Sequence, residues 1–213
     1  VLFGTTDTFA IEYNIINHPY GDEHGLLLDS WGEMRLWVEG IDLLETYEVM
    51  YNGQKKLILY QWNLNMIIEW LAANLHTIIT PVDFPNNIDA NNAMDYLNQN
   101  RILTPDIEKD EFWEWHENSF EWLDTHWFRG AADGSNLPHL FFRRVNNNIE
   151  ICWNNEGLFD DRDIYFCSQQ GCKLVDMNVF YKVVKDFINN FIARFKDKYP
   201  VEMKELQANV ALS

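Results

Sequence analysis

"EWLDTHWFRGAADGSNLPHLFFRRV", residues 121–145, decides how this chain is read, because a helical pattern and a strand pattern meet inside it. Up to Phe128 the aromatic residues recur at helical spacing. Gly130 is a helix stop, "GSNLP" (134–138) is a turn, and "HLFFRRV" (139–145) alternates as a strand does. The stretch therefore has two readings. In the first it is an active-site loop in which Asp124, His126 and His139, with His116 upstream and Arg129 alongside, form an acid–base cluster, since a histidine paired with a carboxylate exchanges protons near neutral pH. In the second it is a structural corner: His116 is a hydrogen-bonded core residue, His126 a helix-terminal cation, and the arginines fasten helix to sheet. Spacing favours the corner. His116 and His126 are ten residues apart on one helix, about 15 Å, so they cannot share a metal ion.

Upstream of the corner, "TPDIEKDEFWEWHENSFEWLDTHWF" (104–128) reads as one long helix. Thr104 is its N-cap, Pro105 its first residue, and acids crowd its first turns, where the helix dipole favours them. Phe112, His116, Phe120, Leu123 and Trp127 share one face; Trp115, Ser119, Trp122 and His126 share the adjoining one. Between residues 106 and 124 there are eight acidic side chains and one lysine. Downstream, "HLFFRRV", an Asn-rich turn and "IEICW" predict a hairpin, in which the adjacent Arg143 and Arg144 point to opposite faces. One arginine pairs with an acid such as Glu150; the other meets solvent or stacks on a tryptophan, and a carboxylate or phosphate receptor is the alternative. "DIYFCS" (163–168) adds a strand, and residues 176–199 form a helix with a stripe from Val179 to Phe195.

At the other end, "TFAIEYNI" (8–15), "WGEMRLWVEG" (31–40) and "QKKLILY" (54–60) read as strands of an antiparallel meander, with a loop at 16–25. Leu64, Ile67, Ile68, Leu71, Leu75 and Ile78 make the stripe of a helix over 61–79, closed by Pro81 and Pro85. Residues 82–104 are Asn-rich, with a short helix at "NNAMDYLNQN" (91–100), and form a flexible connection within a single domain spanning 1–213. The expected fold class is α+β: an antiparallel sheet, made of the N-terminal meander and the later hairpin, packed with two or three long amphipathic helices.

The formal net charge is −17, and the first hundred residues carry 14 acidic against 3 basic side chains. Such a surface repels a phosphate backbone, which argues against direct nucleic-acid binding and leaves ordinary solubility or a basic protein partner. No apolar run is long enough to span a membrane. Cys152, Cys167 and Cys172 are odd in number and lack zinc-knuckle spacing, so a reducing, cytoplasmic location and no metal or other cofactor are expected. The zinc-peptidase, phosphate-loop, dinucleotide and nucleophile-elbow motifs are absent; after His116-Glu117, position 120 is Phe.

"WGEMRLWVEG", "NMIIEWLAANL", "HWFRGAADGSNLPHLFFRR" and "NNIEICWNNE" together resemble, over roughly residues 30–156, the region preceding the peptidase part of bacterial IrrE/ImmA-type metallopeptidase proteins. The resemblance implies a regulatory module of a bacterial stress-response or anti-phage assembly. It implies no peptidase activity, because the zinc-binding helix is missing. The functional expectation is a non-enzymatic, acidic interaction module with Trp37, Trp115, Trp122, Glu114, Glu121 and Arg129 on its partner-binding surface. The alternatives are an acidic inhibitor or immunity protein that blocks a nuclease by phosphate mimicry, and a hydrolase using His126 with Asp124.

Overall fold

The computed structural model describes residues 1–19 and 25–211; positions 20–24 of the expected 16–25 loop lie outside the described residues. Strand β1 (Leu2–Thr5) pairs with β2 (Phe9–Ile15), β2 with β3 (Trp31–Val38), and β3 with both β4 (Ile41–Asp42) and β7 (Tyr60–Asn63), all antiparallel. Alternation fixes the faces: Met34, Leu36 and Val38 are buried, while Arg35 and Trp37 are half-buried on the other side. A second sheet has the order β10–β5–β6, from Ile164–Phe166, Thr46–Val49 and Lys55–Ile58. The third is β11–β9–β8, from Gln170–Asp176, Asn148–Asn154 and Leu140–Val145. With six helices among the described residues packed with these antiparallel sheets, the fold is α+β.

One core lies between the five-stranded sheet, the third sheet and two helices. These are α2 (Leu64–Ile79) and α5 (Met177–Phe195), which bury the stripes read from their sequences, except that Val179 is exposed. The Asp176 side chain caps α5 by accepting from the Asn178 and Val179 amides. The third sheet is covered on both faces. Phe142, Ile149, Ile151 and Trp153 enter the main core, while Phe141 and Cys152 join Phe84, Ile88, Ala93, Tyr96 and Trp122 in a second one. Residues 82–104, read as a flexible connection, thus supply much of that second core, including α3 (Ala93–Leu103).

Several boundaries differ from the sequence reading. The helix expected from Thr104 begins at Glu111, as α4 (Glu111–His126). Thr104 instead closes α3, its hydroxyl donating to the Asn100 carbonyl; Pro105 disfavours helical geometry in the residue before it, and Thr104 is extended, with φ −53 and ψ 124. The helix expected from 61 starts at Leu64, because Tyr60–Asn63 pair with Trp31–Met34. "QKKLILY" splits between two sheets at Leu59. The helix expected over 176–199 stops at Phe195, and α1 (Leu26–Asp29), β1, β4, β5, β11 and α6 (Pro200–Ala211) are additions. Pro200 opens α6, whose Met203, Leu206 and Val210 are buried in the main core.

Candidate functional site

The opening corner is built as a joint. A short turn of 3-10 helix (Phe128–Ala131) takes the chain from α4 to β8, and Gly130 lies so close to Trp70 of α2 that a Cβ there would sit 2.7 Å from the indole Nε1. That Nε1 donates to the Asp124 carbonyl at 3.3 Å. Arg143 pairs with Glu150 at 3.2 Å, directly across the hairpin, and stacks 4.0 Å from the Phe84 ring centroid. The Glu150 carboxylate also accepts the Ala93 amide at the start of α3. Arg144, on the opposite face, donates to the Ile79 carbonyl at the end of α2. The arginines therefore fasten both cores; the one not paired with Glu150, Arg144, binds the Asn146 and Ile79 carbonyls instead of stacking on a tryptophan.

The histidines do not form an acid–base cluster. His126 is 1% exposed, and burial pushes its pKa down to about 4, so it is a neutral buried ring rather than a helix-terminal cation. Its Nδ1 donates to the Trp122 carbonyl at 2.9 Å and its ring stacks on the Trp122 indole, with centroids 4.7 Å apart. His139 is also pushed down to about 4, mainly by burial, and its Nε2 accepts from Arg129 Nη1 at 2.6 Å. His116 is exposed and stacked on Phe112, not in the core. Asp124 is exposed.

What the structure assembles is a cleft of about 950 Å³ between α4 and residues 82–87. Its floor includes Trp122 and His126. Its walls carry Asp83, Glu111, Glu114, Glu121 and Asp124, and no lysine or arginine lines it. Amides hold the cleft open in one shape. Asn86, whose φ of 60 an asparagine tolerates, donates to the Trp115 carbonyl and to Ser119 Oγ. Asn100 of α3 accepts from both Trp115 Nε1 and Ser119 Oγ. Phe84 and Tyr96 stack 4.8 Å apart beneath, with Trp122 edge-on to Tyr96.

The outward face of α4 continues from the cleft. Trp113 and Phe120 are 65% and 61% exposed, and the helix has five carboxylates with no lysine or arginine. At 100° per residue, Glu111, Glu114, Glu117, Glu121 and Asp124 fall within an arc of about 140°. Trp113 and Phe120 border that arc on one side, Trp115 and Trp122 on the other.

Of the residues expected at a partner surface, Glu114, Glu121, Trp115 and Trp122 line the cleft, Trp122 being 4% exposed. Trp37 sits elsewhere, half-buried on β3 under the Arg35 guanidinium, and Arg129 is held by His139 and the Phe159 ring. Trp113 and Phe120 were missed, because α4 has two candidate apolar faces and periodicity does not say which one packs. The face of Trp115, Ser119, Trp122 and His126 won, since its hydroxyl and indole find partners in Asn86 and Asn100.

The cysteines were also misread. Cys152 and Cys172 are joined by a disulfide between directly opposed positions of β9 and β11, and Cys167 is free. The inference of a reducing compartment from unpaired cysteines loses its footing. Glu150, Cys152 and Cys172 cluster within 4.8 Å, but the sulfurs are bonded to each other and the carboxylate is taken by Arg143 and the Ala93 amide. Among the described residues, no helix is long and apolar enough to cross a membrane.

Fold and site thus define an α+β protein with an unpartnered acidic and aromatic helix face. The chain belongs to the family described as "Family of unknown function (DUF5984)", whose model matches residues 32–212. That match corrects the likeness to the region preceding the IrrE/ImmA peptidase part: it runs through α5 and α6, and no peptidase-region family accompanies it. The stress-response and anti-phage setting drawn from that likeness goes with it. Among curated proteins, none matches. Among solved structures, CdiI from Burkholderia dolosa AUO158 is similar at 14% identity and a TM-score of 0.46, over 89% of this chain and 99% of that one. A likeness at that level carries no argument about this chain.

Proposed function

We propose that this protein is a non-enzymatic module that binds a protein partner through the outward face of α4 and the adjoining cleft, receiving a basic surface. The carrying observation is that Trp113 and Phe120 stand exposed on a helix that bears five carboxylates and no lysine or arginine. Exposed aromatics edged by charge of one sign are the anatomy of an interface: an apolar centre that is desolvated on contact, with a charged rim that steers and orients the partner. Glu114, Glu117, Glu121 and Trp115 share the contact, and Trp122 shapes it from below. Trp37 and Arg129, held by contacts away from α4, are left out of this surface.

The test is affinity capture with the wild-type chain and with Trp113→Ala/Phe120→Ala, followed by reconstitution of the captured protein and calorimetry. The double variant should lose affinity by about 2 kcal/mol or more while keeping its own stability within about 0.5 kcal/mol, because both side chains are exposed. A reconstituted partner that binds the variant as tightly as wild type would remove α4 from the interface.

A further inference from the structure

The α4 stripe has a chemistry narrower than general acidity. Five carboxylates lie between Glu111 and Asp124. At 1.5 Å per residue that is about 20 Å of helix, or roughly one charge per 4–5 Å. One strand of a nucleic-acid duplex carries one charge per about 3.4 Å of axis. The carboxylates keep to one side of the helix, with the exposed rings of Trp113 and Phe120 along one border and the half-buried Trp115 along the other. Proteins that hold a single strand combine a cationic groove for the phosphates with side chains that stack on the bases. A row of anions beside π faces is the complement of such a groove.

A second observation comes from the cleft wall. Trp122 and His126 are 4% and 1% exposed and line the cleft, yet Trp122 Nε1 and His126 Nε2 have no hydrogen-bond partner. With the His126 proton on Nδ1, toward the Trp122 carbonyl, both unpaired nitrogens lie beneath the cleft surface, and the wall open to a partner is made by the carboxylates and Trp115. Amphiphilic cations such as guanidinium groups, which stack on aromatic rings and pair with carboxylates, match that wall.

We propose that the α4 stripe substitutes for a single nucleic-acid strand, so that the partner's docking surface is one built to bind single-stranded nucleic acid. This rests on α4 being the partner-binding face and names the kind of surface it meets. The expected consequence is competition: the partner holds either the strand or this protein, not both. Inhibition of a nuclease is one form that competition takes.

The test uses the full chain and a defined probe, a fluorescein-labelled oligouridine of about 12 nucleotides held by an arginine-rich, single-strand-binding peptide and followed by anisotropy. The wild-type chain should displace the oligonucleotide. Glu114→Gln/Glu117→Gln/Glu121→Gln/Asp124→Asn should need about tenfold more protein and show a shallower salt dependence. A control that neutralises as many carboxylates elsewhere, Glu156→Gln/Asp160→Asn/Asp161→Asn/Asp163→Asn, should stay within about twofold of wild type, since its net charge changes equally but the row is intact. Trp113→Ala/Phe120→Ala should weaken displacement about threefold or more through lost stacking. Circular dichroism establishes that each variant is folded. Mimicry is overturned if wild type leaves the oligonucleotide bound, or if the α4 variant and the control displace it equally. Either result leaves the capture experiment standing, so the two readings fail separately.

Discussion

Replacing Glu150 with alanine should be among the most destabilising single changes in this chain. Its side chain is 6% exposed and serves three donors: Arg143 Nε at 3.3 Å and Nη2 at 3.2 Å, and the Ala93 amide at 3.1 Å. Truncation leaves the Arg143 guanidinium, itself 13% exposed, without a counter-ion between the third sheet and the second core. Breaking a buried pair on one side costs about 3–5 kcal/mol, and orphaning a buried amide adds roughly 1–3 kcal/mol, less whatever water enters the gap. Urea unfolding followed by tryptophan fluorescence reads the loss as a lower midpoint at unchanged slope. The double replacement Arg143→Met/Glu150→Leu removes both charges together and should recover about half of the loss or more, because no charge is then left buried alone. A single-variant loss below about 1 kcal/mol, or a double variant as unstable as the sum of the two singles, would refute this account of the joint.

Acidification should destabilise the fold through its histidines. An unfolded His126 titrates near 6.5 and the folded one near 4, so between those values only the unfolded chain takes up the proton. Stability is therefore complete above about 6.5 and falls toward pH 4, by up to about 3 kcal/mol for His126, and His126→Gln should flatten that slope in unfolding curves measured across the window. Asp42, pushed from 3.8 up to about 6 by burial, works in the opposite sense between those values, so the difference between variant and wild type is the quantity to read. Removing the disulfide with Cys152→Ser/Cys172→Ser opens a loop of sequence separation 20 and should cost about 3 kcal/mol, seen as a Tm lower by about 6–12 °C; an unchanged Tm would show the bond to be dispensable. Gly171→Ala would place a Cβ 2.3 Å from the buried Trp153 ring and should cost about 1–3 kcal/mol in chemical denaturation, with a neutral result showing that the indole has room to move.

The elements most legible in the sequence were those whose local pattern coincides with their packing. The stripe of α5, the alternation of β3 and the hairpin of β8 and β9 each bury one continuous set of side chains, so periodicity alone marks the inward face. The Arg143–Glu150 pair was legible for the same reason, since hairpin register places those residues opposite each other. Strand β11 was not legible: Gln170–Asp176 buries only Val175, and the strand is defined by the register that also joins Cys172 to Cys152.

The sequence by itself determined an acidic α+β chain, its longest helices and the corner at Gly130, because composition, periodicity and turn chemistry are local properties of the chain. Only the tertiary structure decided which side of α4 meets solvent. That helix has aromatic residues over about half of its circumference, so burial is settled by contacts from far along the chain: Asn86 and Asn100 hold Ser119 and Trp115, and Tyr96 and Phe84 receive Trp122. Those contacts turn His126 inward as a neutral ring and turn Trp113 and Phe120 outward beside the carboxylates. The candidate site is the half of α4 that no other part of the described chain covers.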